Sequence, residues 1–120
     1  MIRTMLKSKI HRATVTEANV EYEGSITIDK DLLEAADILP YEQVDIYDCT
    51  NGNRIQTYAI EGERGSREIC VNGAAAHRAK VGDRIIICAY RPVRDEDAHA
   101  SAPKVVVLDE ANRPRKAVVV

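Results

Sequence analysis

Ile26-Thr27-Ile28-Asp29 leads, through a short helical segment and a turn, to Val44-Asp45-Ile46-Tyr47, and the same order returns in Ile69-Cys70-Val71-Asn72 and Ile85-Ile86-Ile87-Cys88. Each quartet is short and largely β-branched, which suits a buried strand. The two halves, Ile26–Asp48 and Ile69–Tyr90, therefore read as one strand–helix–turn–strand unit used twice. Two such units closing on each other predict a small barrel, an arrangement that leaves few exposed strand edges. Working outward, strands are expected at Lys9–Thr16, Ser25–Ile28, Gln43–Cys49, Arg54–Glu61, Glu68–Val71, Arg84–Tyr90, Lys104–Asp109 and Lys116–Val120. Thr50-Asn51-Gly52-Asn53 lies between two of them, and its Asn-Gly pair readily takes φ > 0, as a hairpin turn requires. Helices are short: Asp31–Asp37, with Leu32, Leu33 and Ala36 on one face before Pro40, a single turn at Ala74–Arg78, and a third turn near Asp95–Ala100. The fold class is mainly β with short helices, in a single domain spanning residues 1–120.

The chain has 120 residues, 45% of them apolar, enough for one packed core and too many for a disordered chain. It has no Phe and no Trp, so Ile, Val, Leu and Ala must build that core. Seventeen basic and nineteen acidic residues leave a net charge of −2, which speaks against a nucleic-acid partner held by a strong basic field. No apolar run approaches the roughly 18 residues that cross a bilayer, so no membrane partner is expected. Met1–His11 has no continuous apolar stretch of the signal-peptide kind; a cytoplasmic location is the expectation. Cys49, Cys70 and Cys88 form no CxxC pair and lie in or beside apolar runs, so they are expected as buried free thiols, with no metal.

Four segments carry residues suited to chemistry. In Tyr22-Glu23-Gly24-Ser25, an ordinary turn and a strained Gly–Ser bond open to attack by the serine hydroxyl both remain open; Gly65-Ser66 is a second copy of the dipeptide. In Arg54-Ile55-Gln56-Thr57-Tyr58, strand alternation places Arg54 and Tyr58 on one face and Thr57 on the other. Arg54 suits a carboxylate and Tyr58 a proton transfer, while a solvated Arg and a half-buried Tyr explain the same pattern. Lys9 and His11 share a strand face in the same way. In Asn72-Gly73-Ala74-Ala75-Ala76-His77 the small residues leave backbone uncovered, for a ligand or for a tight packing contact.

Taken together, Lys9-x-His11, Val15-Thr16, Tyr22-Glu23-Gly24-Ser25, Ile28-Asp29, Thr50-Asn51-Gly52, Arg54, Thr57-Tyr58-x-Ile60, Arg64-Gly65-Ser66, Asn72-Gly73-Ala74-Ala75-Ala76-His77 and Gly82-Asp83 resemble the aspartate 1-decarboxylase family. These are pyruvoyl-dependent bacterial enzymes that make β-alanine for pantothenate, and so for coenzyme A. The resemblance runs in order from Met1 to about Tyr90, and the segment beyond is less telling.

What the resemblance implies is specific. The fold would be a double-psi β-barrel. The chain would cut itself between Gly24 and Ser25 into residues 1–24 and 25–120, with Ser25 becoming a covalent pyruvoyl group that forms a Schiff base with L-aspartate. No pyridoxal phosphate and no metal would be needed. Thr57 and Asn72 would attend the processing step, and Tyr58 would be the proton donor. Lys9, Arg54, Thr57 and the backbone of Gly73, Ala74 and Ala75 would bind substrate. Gly65-Ser66 lacks the preceding Tyr-x and would stay intact. The family's homotetramer puts active sites between subunits; whether a helper protein assists maturation is left open. The rival expectation is a non-catalytic barrel module binding a small acidic ligand or a protein, with Gly24-Ser25 an ordinary turn. A swapped-hairpin dimer acting on nucleic acid would need a basic face, which the charge does not favour.

Overall fold

A computed structural model describes residues 1–119, the side chains through Arg115. Nine strands occur in chain order: β1 (Ile2–Thr14), β2 (Glu17–Asn19), β3 (Ser25–Asp29), β4 (Gln43–Asp48), β5 (Arg54–Gly62), β6 (Ile69–Asn72), β7 (Arg84–Arg94), β8 (Lys104–Leu108) and β9 (Pro114–Val119). One α-helix, α1 (Lys30–Ala36), follows β3, and 3-10 turns occupy Gly73–His77 and Asp95–Ala100. The strands join in the order β2-β6-β3-β5-β4-β7-β1-β8-β9. The fold is mainly β and barrel-like, as expected. Among the described residues the ladder does not close, and its ends are the three-residue β2 and β9.

The repeat seen in the sequence is present in space. β3 pairs antiparallel with β6, with Ile26 opposite Val71 and Ile28 opposite Ile69. β4 pairs antiparallel with β7, with Asp45 opposite Cys88 and Tyr47 opposite Ile86. Exchanging the two halves, Ile26 for Ile69 and Asp45 for Ile86, turns each pair into the other. That register is the mark of a two-fold relation between the halves. Ile26, Ile28, Ile46, Ile69, Ile85 and Ile87 are fully buried, so the repeated quartets meet in one core.

Several boundaries differ from expectation. β1 begins at Ile2, not Lys9, because Ile2–Leu6 pairs with the outer part of β7 as an arm whose first residues are exposed on both faces and carry no alternation. Helix α1 ends before Pro40: Asp37 takes a left-handed conformation (φ 55°), and its N–H and that of Ile38 close the last turn on Glu34 and Leu33. The 48–53 turn is as expected, with Gly52 at φ 81° and Asp48 Oδ1 accepting from the Thr50 N–H. Cys49, Cys70 and Cys88 are free, but Cys49 is exposed rather than buried. Val120, the last residue of the strand expected at Lys116–Val120, lies outside the described residues.

Candidate active site

β3 runs parallel to β5 with Ile26 opposite Ala59, and antiparallel to β6 with Ser25 opposite Asn72. Since Ile26, Ala59 and Val71 point into the core, strand alternation sends Ser25, Tyr58 and Asn72 to the other face. These three line one cavity of about 340 Å³, joined by Tyr22, Glu23, Thr27, Tyr41 and Ile60. Ser25 is 3% exposed. Its Oγ accepts a 3.0 Å hydrogen bond from Asn72 Nδ2 and faces the Glu23 carbonyl at 3.4 Å. The same Nδ2 donates to Thr27 Oγ1 at 3.0 Å, and Asn72 Oδ1 lies 3.2 Å from Cys70 Sγ. The Tyr58 ring leans on that of Tyr41, centroids 6.5 Å apart.

Gly73 packs against the backbone of Gly24. Its φ is +70°, and a Cβ there would sit 2.6 Å from the Gly24 Cα and N, a distance no side chain tolerates. At Gly24 a Cβ would meet open space. The close approach therefore demands glycine at position 73. Ala74 is exposed and Ala75 is buried in the core. Gly65–Ser66 stands in an exposed turn, where the Ser66 hydroxyl accepts only from the Glu68 N–H.

The other expected residues lie along the sheet from this cavity. Thr57 lines a neighbouring cavity of about 550 Å³ with Tyr41, Gln43, Gln56 and Tyr58. Arg54 is four residues from Tyr58 on β5, roughly 13 Å along a strand, with its guanidinium 4.8 Å over the Tyr47 ring. Lys9 is two strands beyond β4, opposite Cys88. Around it, Asp45 accepts from Gln56, and the Tyr47 and Tyr90 hydroxyls share a 2.9 Å hydrogen bond. That bond, with burial, raises the Tyr90 pKa. Burial, then Lys9, Arg12 and Arg84, lower that of His11, which favours the neutral imidazole.

Thr27, Cys70 and Tyr41 were absent from the sequence-based site. Thr27 and Cys70 stand two residues from Ser25 and Asn72 on the same strands, so alternation alone would have found them. Tyr41 comes from the α1–β4 connection at φ 72°, which no strand pattern announces.

Comparison with known proteins identifies the family. The family model described as aspartate decarboxylase matches residues 1–115. The chain is similar to an aspartate 1-decarboxylase of Desulfitobacterium hafniense, 59% identical over 116 residues covering 97% of this chain and 91% of the relative. It is also similar to one of Thermoanaerobacter pseudethanolicus, 60% identical over 114 residues, 95% of this chain and 97% of the relative. A third, from Ralstonia pickettii, is 55% identical over 113 residues, 94% of each chain. With a buried serine held by an asparagine, a glycine cradle and a tyrosine across the cavity, the chain belongs to the aspartate decarboxylase family.

Proposed function

We propose that the protein converts L-aspartate to β-alanine and CO₂, feeding pantothenate synthesis, after cutting itself at Gly24–Ser25. The observation that carries this reading is the buried Ser25 hydroxyl, held by Asn72 next to Gly24, whose N and Cα Gly73 abuts. Ser25 Oγ attacks the Gly24 carbonyl carbon; the C–N bond breaks, and the hydroxyl proton passes to the freed nitrogen. The ester then eliminates: the residue-25 Cα loses a proton, the Cβ–Oγ bond breaks, and residues 1–24 leave as a carboxylate. Water replaces nitrogen on the remaining dehydroalanine, and ammonia departs. The Asn72 N–H steadies charge on the oxygens during the shift, with Thr57 assigned to the same step.

The residues present fit a pyruvoyl group at position 25, since the cavity keeps it buried beside one fixed donor and a phenol. That ketone supplies the electron sink a carbon needs when it loses CO₂. Tyr58 delivers a proton to that carbon, Arg54 and Lys9 attract the substrate carboxylates, and the backbone of Gly73, Ala74 and Ala75 lines the pocket. Lys9 and Arg54 stand off the Ser25 cavity within one chain, which supports an active site completed between subunits of a homotetramer. Exposed Tyr22 and Tyr41 at the cavity support the same reading. Sedimentation should find four copies, and a monomer would remove this part. Three free thiols support a reducing compartment such as the cytoplasm; no helix among the described residues is long and apolar enough to cross a membrane.

Intact mass tests the cleavage. Pieces of 24 and 96 residues are expected, the larger one ammonia lighter than a chain beginning with serine. Ser25→Ala should remain one uncut, folded, inactive chain. Cleavage of that variant, or a wild type that stays whole on prolonged warming, overturns the proposal.

A further inference from the structure

Asn72 is 2% exposed, and its amide touches three polar side chains. Both Nδ2 hydrogens are used, on Ser25 Oγ and Thr27 Oγ1, each at 3.0 Å. Rotating the amide by half a turn would exchange its oxygen and nitrogen with almost no change of volume. The two hydroxyls would accommodate either orientation, since each can donate or accept. Only the third neighbour discriminates. Cys70 Sγ, 3.2 Å from Oδ1, offers a proton and is a weak acceptor.

The orientation matters to the nucleophile. As found, Ser25 Oγ accepts from Asn72 and its own proton is not spent on that amide. With the amide reversed, the Ser25 hydroxyl would donate to Oδ1, and the cavity would offer no N–H where negative charge develops. We propose that Cys70 is a positioning residue for self-cleavage, its S–H holding the Asn72 amide so that Nδ2 faces Ser25. This rests on the cleavage reading given above.

The thiol keeps its proton: burial first, then the hydrogen bond to Glu17, push its pKa up to about 12. Glu17 Oε2, at 3.1 Å, shares that proton, but Glu17 is exposed and water can satisfy it. Glu17, Glu68 and Cys70 bring their ligand atoms within 4.8 Å of one another. The 3.2 Å approach of Cys70 Sγ to Asn72 Oδ1 is the contact that serves the amide.

The test follows cleavage of freshly made full-length precursor by intact mass at timed intervals, with circular dichroism confirming that each variant folds. Cys70→Ala, and Cys70→Val, which fills the space without a donor, should cut at least ~10-fold more slowly than wild type, a fraction of the loss for removing an oxyanion donor outright. Cys70→Ser keeps a donor in nearly the volume of alanine and should restore a rate within about 3-fold of wild type, the O–H replacing the S–H. In an Asn72→Ala background, Cys70→Ala should add no further loss, because the thiol acts through the amide. Wild-type rates in both Cys70→Ala and Cys70→Val, or a serine variant as slow as alanine, overturn the role of Cys70 while leaving self-cleavage standing. A wild type that does not cut at Gly24–Ser25 in the same assay overturns both.

Discussion

Ser25 and Tyr58 face each other because each immediately precedes one member of the Ile26–Ala59 pair on parallel strands. The phenol is thus placed by register, and its proposed work begins only after CO₂ has left. Tyr58→Phe keeps the ring that leans on Tyr41 and loses only the hydroxyl, so the variant should still split at Gly24–Ser25. Its release of β-alanine should fall by about 10²–10⁴-fold, the usual worth of a positioned acid. Mass spectrometry and product release on one sample check both halves: wild-type turnover would dismiss Tyr58 as the donor, and an uncut chain would move it to processing. Ser25, Tyr58 and Asn72 entered through the family resemblance, since the residues alone left an ordinary turn, a half-buried Tyr and a packing contact open. The limits of strand alternation are physical. Alternation tells which face a residue takes but not how far along the face its neighbour lies. Arg54 shares the face of Tyr58 yet stacks on Tyr47, and the glycine that cannot be replaced is Gly73, whose neighbour arrives from another part of the chain.

Helix α1 shows how one side chain can organise an element and a distant loop. Asp29 is fully buried, and its carboxylate accepts N–H groups from Asp31 at the helix start and from Gly65 and Arg67 across the β5–β6 connection. Burial works to raise its pKa, but the N–H groups of Arg67, Asp31 and Gly65 outweigh it and hold the carboxyl below its usual range. Asp29→Ala removes the helix cap and strands two further N–H groups, and should cost about 2–4 kcal/mol. Because the folded pKa is depressed, the stabilisation is present above the ordinary carboxylate range near ~4 and is lost as pH falls through the folded value. Denaturation midpoints of variant and wild type should therefore stand furthest apart at neutral pH and converge in acid; a gap independent of pH would mean that the charge contributes nothing. Helix, hairpin and inner strands were legible from apolar spacing and turn chemistry. The Ile2–Leu6 arm and β2 were not, since one has no buried face to impress on the sequence and the other is only three residues long.

The two halves of the molecule also meet where β4 ends and β7 begins. There Asp48, 2% exposed, faces Asp83, while Asp48 Oδ1 holds the Thr50 and Asn51 N–H groups. Burial first, then the neighbouring Asp83, push the Asp48 pKa up to about 6, so the pair is most comfortable sharing a proton. A carboxyl raised in the folded state stabilises fully below its unfolded pKa and loses that contribution as pH rises through about 6. Asp48→Asn imitates the protonated form at every pH. It should match wild type near pH 4 and exceed it by ~1 kcal/mol at pH 7.5, read from urea midpoints; an asparagine variant weaker at pH 7.5 would contradict the shared proton. Exchange of the halves sets Asp29 in the place of Asn72, so one corner of the symmetric body secures a loop while the other holds the Ser25 hydroxyl. β1 lies inside the sheet, between β7 and β8. A cut at Gly24–Ser25 therefore releases no propeptide, because the small piece carries an interior strand. What changes is molecularity. The uncut chain refolds by a first-order search that dilution cannot slow. After the cut, denaturation liberates two particles from one, and recovery depends on their meeting again. The proposed maturation would thus turn a self-restoring molecule into one that lasts only as long as it stays folded.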